Sequence, residues 1–308
     1  MLLLVTKSGE PVMVWTFIKT TLLIGFLSGL FFVVAYLLGF DPIVALGFAA
    51  LMNFVIYWFS DRFVLRMGGA KLASEAEAPR VYAVLRRLNA ASGTPMPKVA
   101  LVNSQIPNAF ATGRSPKNAT VAVHTGLLSM VNDEELEGVL AHELTHVRNW
   151  DTLTMTVAAT VAGAITYIAQ WGWLFGGAFG YSGGSGGRSN QQGSILGLLF
   201  MLVLAPLAAM LVQLAVSRTR EYAADDGGAK LSGKPLALAS ALEKIDYYAK
   251  NRGPPKKSNP ALSSLYIVNP FRGSSFTQLF STHPPTPKRI ARLHDIASSM
   301  GYGSYYTQ

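Results

Sequence analysis

Cysteine is absent from all 308 residues, which excludes disulfides, thiolate nucleophiles and Cys-held metal; any metal ion must be held by histidine and carboxylate. Charge is scarce as well, at 14% of residues against about a quarter in ordinary soluble domains, while 50% are hydrophobic. This composition excludes a simple soluble globule and points to a membrane. Acids are the rarer sign, 17 against 26 basic residues, for a formal charge of +9. In so apolar a chain the excess reads as a topology signal and an affinity for the lipid bilayer. Nucleic acid is not expected as a partner, because the basic residues are not interleaved with aromatics and no nucleic-acid-binding module is present. Only five residues are histidine.

Charge-free runs set the domain organisation. Thr20 to Phe40 and Pro42 to Ser60 are each long enough to cross a bilayer at about 1.5 Å per residue, with Asp41-Pro42 as the turn between them. The second run ends in Tyr57 and Trp58, suited to an aromatic belt. Thr152 to Gly180 and Ser194 to Val216 form another pair around a Gly- and Ser-rich outer loop, 181–193, with Pro206 kinking the last run. Residues 1–19 lack the order of a cleavable secretory signal. All basic residues except Lys7, Lys19 and Arg188 lie in 61–151 and 217–308, so the positive-inside rule puts both blocks and both termini in the cytoplasm. The expected fold class is an integral membrane protein, mainly α. It has two transmembrane hairpins, 20–60 and 152–216, giving four transmembrane helices. A cytoplasmic α+β catalytic domain with a small sheet is assembled from 61–151 and 217–308.

Ser74 and Glu77 read as a capping box before the helical stripe Val81, Val84, Leu85 and Leu88. Lys98–Val102, Asn108–Gly113 and Thr120–Val123 read as short strands, separated by turn chemistry such as Ser115-Pro116-Lys117-Asn118. Gly126–Met130 and Asp133–Trp150 return to helix, with Asn132 or Asp133 as cap. In the last block one helix runs through Lys230, another from Pro235 to about Lys250. A final helix has Thr286 as cap and Pro287 at its first position.

The chemistry sits in the helix over 133–150. His142 and His146 are four apart, so both imidazoles leave one helix face within reach of a single metal ion, with Glu143 beside it. Random placement of five histidines and nine glutamates gives about 0.002 such matches in a chain of this length. Catalytic zinc takes three protein ligands and keeps a fourth position for water, so one ligand is outstanding. Glu143 must face that water to act as base. The best third ligand is Glu221, because it follows the fourth charge-free run as His146 precedes the third, and so reaches the same membrane face. Asp225, one turn on, can accept the outer N–H of a ligating histidine. A competing reading pairs Glu221 and Asp225 with Arg218 and Arg220 on a solvated face. With zinc polarising water and scissile carbonyl, Glu143 passes the water proton to the leaving amine. The rival class is a catalytically silent membrane scaffold or chaperone-like binder with a structural metal, which has no use for a base between the ligands.

Asn108-Ala109-Phe110-Ala111-Thr112-Gly113, Ala141-His142-Glu143-Leu144-Thr145-His146, Ser217-Arg218-Thr219-Arg220-Glu221-Tyr222-Ala223-Ala224-Asp225 and Ser281-Thr282-His283-Pro284-Pro285 resemble, in that order, the HtpX-type membrane zinc metallopeptidases. These are relatives of the CAAX prenyl endopeptidases, which have more spans than four. The resemblance implies a zincin-like catalytic domain with Zn2+ held by His142, His146 and Glu221. It also implies a cytoplasm-facing site in the plasma (inner) membrane and quality control of damaged membrane proteins. Asn108, Ala109, Phe110 and Ala111 read as an extended edge on which a protein substrate adds as a strand. The resemblance suggests His283, in a Pro-bounded turn, as oxyanion partner; Tyr222 and Arg220 are the other candidates, and the sequence does not choose among them. His124 and His294 read as structural or solvated.

Overall fold

The computed structural model describes residues 12–37, 39–163, 218–252, 262, 265–268 and 284–301. Its first two helices, α1 (Val12–Leu37) and α2 (Pro42–Met67), form a hairpin. Asp41 accepts the Ile43 N–H at 2.8 Å, and Pro42 opens α2 where no donor is needed. Neither helix keeps to its charge-free run. Helix α1 begins at Val12 and α2 runs on through Arg62 and Arg66, because charge ends a lipid-compatible stretch without breaking helical hydrogen bonding. Between them Asn53 donates to Ser28 Oγ at 2.7 Å. Large apolar side chains face outward, Ile43 81% and Leu46 62% exposed, a coat that hydrocarbon solvates and water does not. Among the described residues, α2 is the one helix long and apolar enough to cross a membrane. The third charge-free run is described only to residue 163, and the fourth lies outside the described residues.

The remaining helices are α3 (Pro79–Ser92), α4 (Thr125–Met130), α5 (Asp133–Arg148), α6 (residues 151–163), α7 (Arg218–Ser232), α8 (Pro235–Arg252) and α9 (Thr286–Ser299). Strands β1 (Ala70–Leu72), β2 (Lys98–Val102), β3 (Ala109–Gly113) and β4 (Ala119–His124) make a mixed sheet in the order β1-β2-β4-β3. The β2–β4 pair is parallel and the two outer pairs are antiparallel, so β3 is an edge strand. Strand β1 escaped the sequence reading, since three residues after Gly68-Gly69 are too few to show alternation. Side chains alternate across the sheet. Val99, Ala109, Ala111, Val121 and Val123 face a core built with α3, α5, α8 and α9. Ala100, Val102, Phe110 and Ala122 face Val64 of α2 and Met155 and Ala159 of α6. The sheet is thus a layer between the helical core and the end of the apolar hairpin.

Two helix starts differ from expectation for local reasons. Ser74 spends both its N–H and its Oγ on the Glu77 carboxylate, at 2.7 Å each, so the pair closes a turn and α3 begins only at Pro79. Helix α9 is capped by Pro285, one residue early. At α5, Asn132 is the cap: its side chain and that of Glu135 each accept the other's N–H at 2.9 Å. Helix α5 stops at Arg148, and Trp150 takes φ 63, a left-handed conformation costly for a bulky residue, before Asp151 starts α6.

Helices α5 and α7 pack closely at the crossing, where α7 presents two glycines. A Cβ on Gly228 would lie 2.8 Å from the His142 backbone N, and one on Gly227 would lie 2.5 Å from Thr145 Cγ2. Gly228→Ala is therefore expected to cost about 1–3 kcal/mol by forcing the helices apart. Gly25→Ala in α1, where a Cβ meets nothing within 4 Å, should be neutral or slightly stabilising. Thermal unfolding of the two variants in detergent compares them directly.

Candidate active site and metal centre

Helical spacing on α5 brings the His142 and His146 rings to 4.8 Å, edge to face. The close α7 crossing inserts Glu221, with Oε2 3.9 Å from His142 Nε2 and Oε1 3.5 Å from His146 Nε2. One ligand atom from each residue lies within 4.8 Å of the others, and all three residues are buried, so the trio could hold one metal ion. The solvated-face alternative is not what forms: Glu221 is 1% and Asp225 0% exposed.

Carboxylates back both outer nitrogens. His146 Nδ1 bonds Asp151 Oδ2 at 3.1 Å, and His142 Nδ1 lies 3.0 Å from Asp225 Oδ1, a short contact off the line of a good hydrogen bond. Asp225 is fixed in turn by Arg289 of α9, whose Nε and Nη2 donate to its two oxygens at 2.8 and 2.7 Å. Arg220 Nε approaches Asp151 Oδ1 at 3.3 Å. Neither Asp151 nor Arg289 figured in the sequence reading. Asp151 reaches His146 only through the Trp150 turn, which no spacing rule anticipates. Arg289 carried a readable sign, since it shares a buried face of α9 with Leu293 and Ala297.

Burial and charge pull these groups apart. Burial drives the Glu143 carboxyl up, with Glu221 adding to the rise; the charge of His146, the Ala111 backbone N–H and Arg289 oppose it, and the result is about 7. Burial alone would keep both imidazoles neutral, and His142 is lowered. At His146 the Asp151 bond and the charges of Glu221, Asp151 and Glu143 outweigh burial and raise it to about 9. With both imidazoles neutral, as metal ligation requires, the ionised carboxylates of Glu143, Asp151, Glu221 and Asp225 face the buried guanidiniums of Arg220 and Arg289 at this site. A divalent cation held by two imidazoles and a carboxylate fits that imbalance.

The cavity lined by Glu143 and the trio is about 10 Å3, room for roughly one water. Phe110 and Ala111 of β3 form one wall, and Met155 of α6 and Leu265, Tyr266 and Ile267 complete it. Ala109 is a buried β3 residue behind this wall, and Asn108 bonds the 265–267 backbone instead of facing the cavity. Arg220 and Tyr222 do not line it; Tyr222 lies beneath the Arg292 guanidinium, 5.4 Å from ring centre. His283 is outside the described residues. His294 is exposed on α9, and His124 is buried with its Nδ1 2.9 Å from the Ile106 carbonyl.

Residues 75–297 match Peptidase family M48. The chain belongs to that family. A "Protease HtpX homolog" of Thermococcus sibiricus is 51% identical over 288 residues, spanning 92% of this chain and 97% of its own. Those of Pyrococcus furiosus and Persephonella marina are 50% and 45% identical, over 92% of this chain in both cases. Among solved structures, S. mikatae Ste24p is similar with a TM-score of 0.47 and 20% identity, over 92% of this chain and 66% of that one. As an M48 peptidase the chain is a metalloendopeptidase that acts on protein substrates and uses a metal ion.

Two outcomes follow from these contacts. Asp151→Asn, which weakens the hold on His146, should reduce metal affinity roughly 10- to 100-fold, measured by competition with a chromophoric chelator. Burial lowers His124 to about 4, below its ordinary value of 6.5, so the unfolded chain takes up the proton first as pH falls. Stability is then lost progressively from about pH 6.5 to pH 4, by up to roughly 3 kcal/mol, and His124→Gln should flatten that slope in unfolding measurements.

Proposed function

We propose that this M48 peptidase is a membrane-bound zinc endopeptidase that cleaves membrane or misfolded proteins at the cytoplasmic face, in membrane-protein quality control. The observation that carries the reading is the cavity: Glu143, the ligand trio and the edge strand meet where α6, which carries the first part of the third charge-free run, contributes Met155. We assign four spans, in hairpins 20–60 and 152–216, with 1–19, 61–151 and 217–308 cytoplasmic. The distribution of basic residues and the apolar coat of α2 support this.

Zinc is the metal we assign to His142, His146 and Glu221; bound there it lowers the pKa of water and polarises the scissile carbonyl. Glu143 takes the proton of the attacking water and returns it to the leaving nitrogen, and its burial, which raises its affinity for a proton, favours the uptake step. The Ala111 N–H beside it steadies the carboxylate. Asp151 bonds the outer nitrogen of His146 and Asp225 lies against that of His142, which would leave the inner nitrogens free to hold a metal ion. Asn108–Ala111 form the shelf where substrate backbone adds. With Arg220 and Tyr222 off the cavity lining, we assign the oxyanion contact to His283 on its sequence motif.

Glu143→Gln should keep zinc and lose at least about 100-fold in kcat on a purified membrane protein, whereas His142→Ala and Glu221→Ala should lose both metal and turnover. Product mapping beside a zinc assay separates the two. A silent scaffold predicts that Glu143→Gln changes nothing, and wild-type turnover by that variant would sink the mechanism.

A further inference from the structure

Strand β3 runs alongside the last turns of α2. Phe110 packs against Val64, and a Cβ on Gly68 would lie 3.4 Å from its Cζ. Further along the chain the Arg114 guanidinium lies 4.3 Å from the ring centre of Trp58. From Phe110 to Arg114 an extended strand rises about 13 Å, and from Trp58 to Gly68 a helix rises about 15 Å, so the two keep pace. The turn that follows β3, residues 114–118, is therefore level with Trp58.

That level still belongs to the apolar coat of α2. Phe59 is 47% and Phe63 37% exposed, so the surface suited to lipid extends past Arg62. Cations stand on this surface. Arg62, one turn after Trp58 on the same helix face, has its guanidinium 5.7 Å from the ring centre of Phe59. Arg66 is exposed one turn further on, and Lys117 is exposed in the turn that carries Arg114. Among the described residues, no carboxylate pairs with Arg62, Arg66, Arg114 or Lys117. Asp61, the one acid of α2, accepts the backbone N–H of Arg62 at 2.8 Å. By contrast Arg80, Arg86 and Arg87 of α3, Lys244 and Lys250 of α8 and Arg292 of α9 each reach a carboxylate. A guanidinium stacked on a ring keeps its in-plane N–H donors uncovered, and phosphate is the acceptor that a bilayer offers at the depth of an aromatic belt.

We propose that Trp58, Arg62, Arg114 and Lys117 form a binding surface for the headgroup phosphate of an anionic phospholipid, which holds the β3–β4 turn against the bilayer. The inference rests on the reading of 20–60 as a membrane hairpin and is independent of the catalytic chemistry. Zwitterionic lipid brings the same phosphate with a cation attached, which clustered guanidiniums repel, so the surface selects headgroups of net negative charge.

The test uses the full-length, zinc-loaded protein in nanodiscs of phosphatidylcholine, alone or mixed equally with phosphatidylglycerol. Slower hydrogen exchange across 114–118 is expected in the anionic discs, and equal exchange in both overturns the lipid surface. Native mass spectrometry of the protein in detergent, offered both lipids in equal amounts, then counts the lipid retained. Arg62→Gln and Arg114→Gln should each lower the ratio of phosphatidylglycerol to phosphatidylcholine about 5-fold, the effect of one cation at an anionic lipid surface. Lys230→Gln removes the same charge from the exposed last turn of α7 and should leave that ratio unchanged. An equal fall with Lys230→Gln means diffuse attraction to net charge and overturns a local site. The exchange comparison on the wild type decides the matter even if a variant fails to fold. Failure to enter either kind of disc defeats the hairpin reading and the lipid surface together; entry into both with identical exchange removes the lipid surface alone.

Discussion

The contact on which the site depends is the one between α5 and α7, where Gly228 leaves no room for a methyl group against the backbone of His142. Two histidines on a helix can approach one metal ion, but they cannot close a coordination set. The third group must come from another element, at a depth and angle set to within tenths of an ångström. Bare backbone at Gly227 and Gly228 lets α7 come close enough for Glu221, two turns earlier, to stand between His142 and His146. Helix packing through side chains normally keeps axes 8–10 Å apart. Here the spacing is given up so that a carboxylate reaches its place.

That closeness concentrates negative charge in a region with almost no water, and the neighbouring elements answer it. Arg289 arrives from α9 to neutralise Asp225 with two hydrogen bonds, and Arg220 faces Asp151. Each cation addresses a carboxylate that backs an imidazole, and Arg289 Nη1 also lies 3.8 Å from Glu221 Oε2. Glu143 keeps a raised pKa because its burial outweighs the charges of His146 and Arg289. The side chains of His142 and His146 are thereby stiffened from behind, which favours one arrangement of their inner nitrogens.

Much of this was legible in the sequence where a rule of spacing applies. The two histidines with Glu143, the order of strands and helices around them, and the carboxylates Glu221 and Asp225 follow from helical periodicity and from which segments end at the same face. What stayed hidden depends on tertiary geometry. Asp151 comes to His146 through a left-handed tryptophan, a conformation that no propensity favours. The Ser74 and Glu77 pair has the letters of a capping box, but both Ser74 donors go to one carboxylate, and the helix starts later. Strand β1 is too short to carry a pattern and exists because β2 offers it an edge. Charge-free runs located the apolar part of α2 without locating its end, since helical hydrogen bonds do not respond to the change from lipid to water.

The edge strand links the apolar hairpin to the chemistry. At its far end the Thr112 hydroxyl meets Thr156 of α6 at 2.9 Å, the Gly113 N–H donates to the same hydroxyl at 3.3 Å, and the Arg114 guanidinium stacks 4.3 Å from the ring centre of Trp58 on α2. At its near end Asn108 donates to the Leu265 carbonyl and accepts the Ile267 N–H. Between them Ala111 stands against Glu143. Five residues of strand span only about 17 Å. A chain laid along β3 therefore has one end beside the helices of the apolar hairpin and its centre at the base, and because both strand ends are tied, that spacing is fixed. The α6 helix connects to the site as well, through Asp151 on His146 and Met155 in the cavity wall. Helix α6, which carries the first part of the third charge-free run, thus holds His146 through Asp151 and bounds the cavity through Met155, so the cavity and the apolar helices share one packed element.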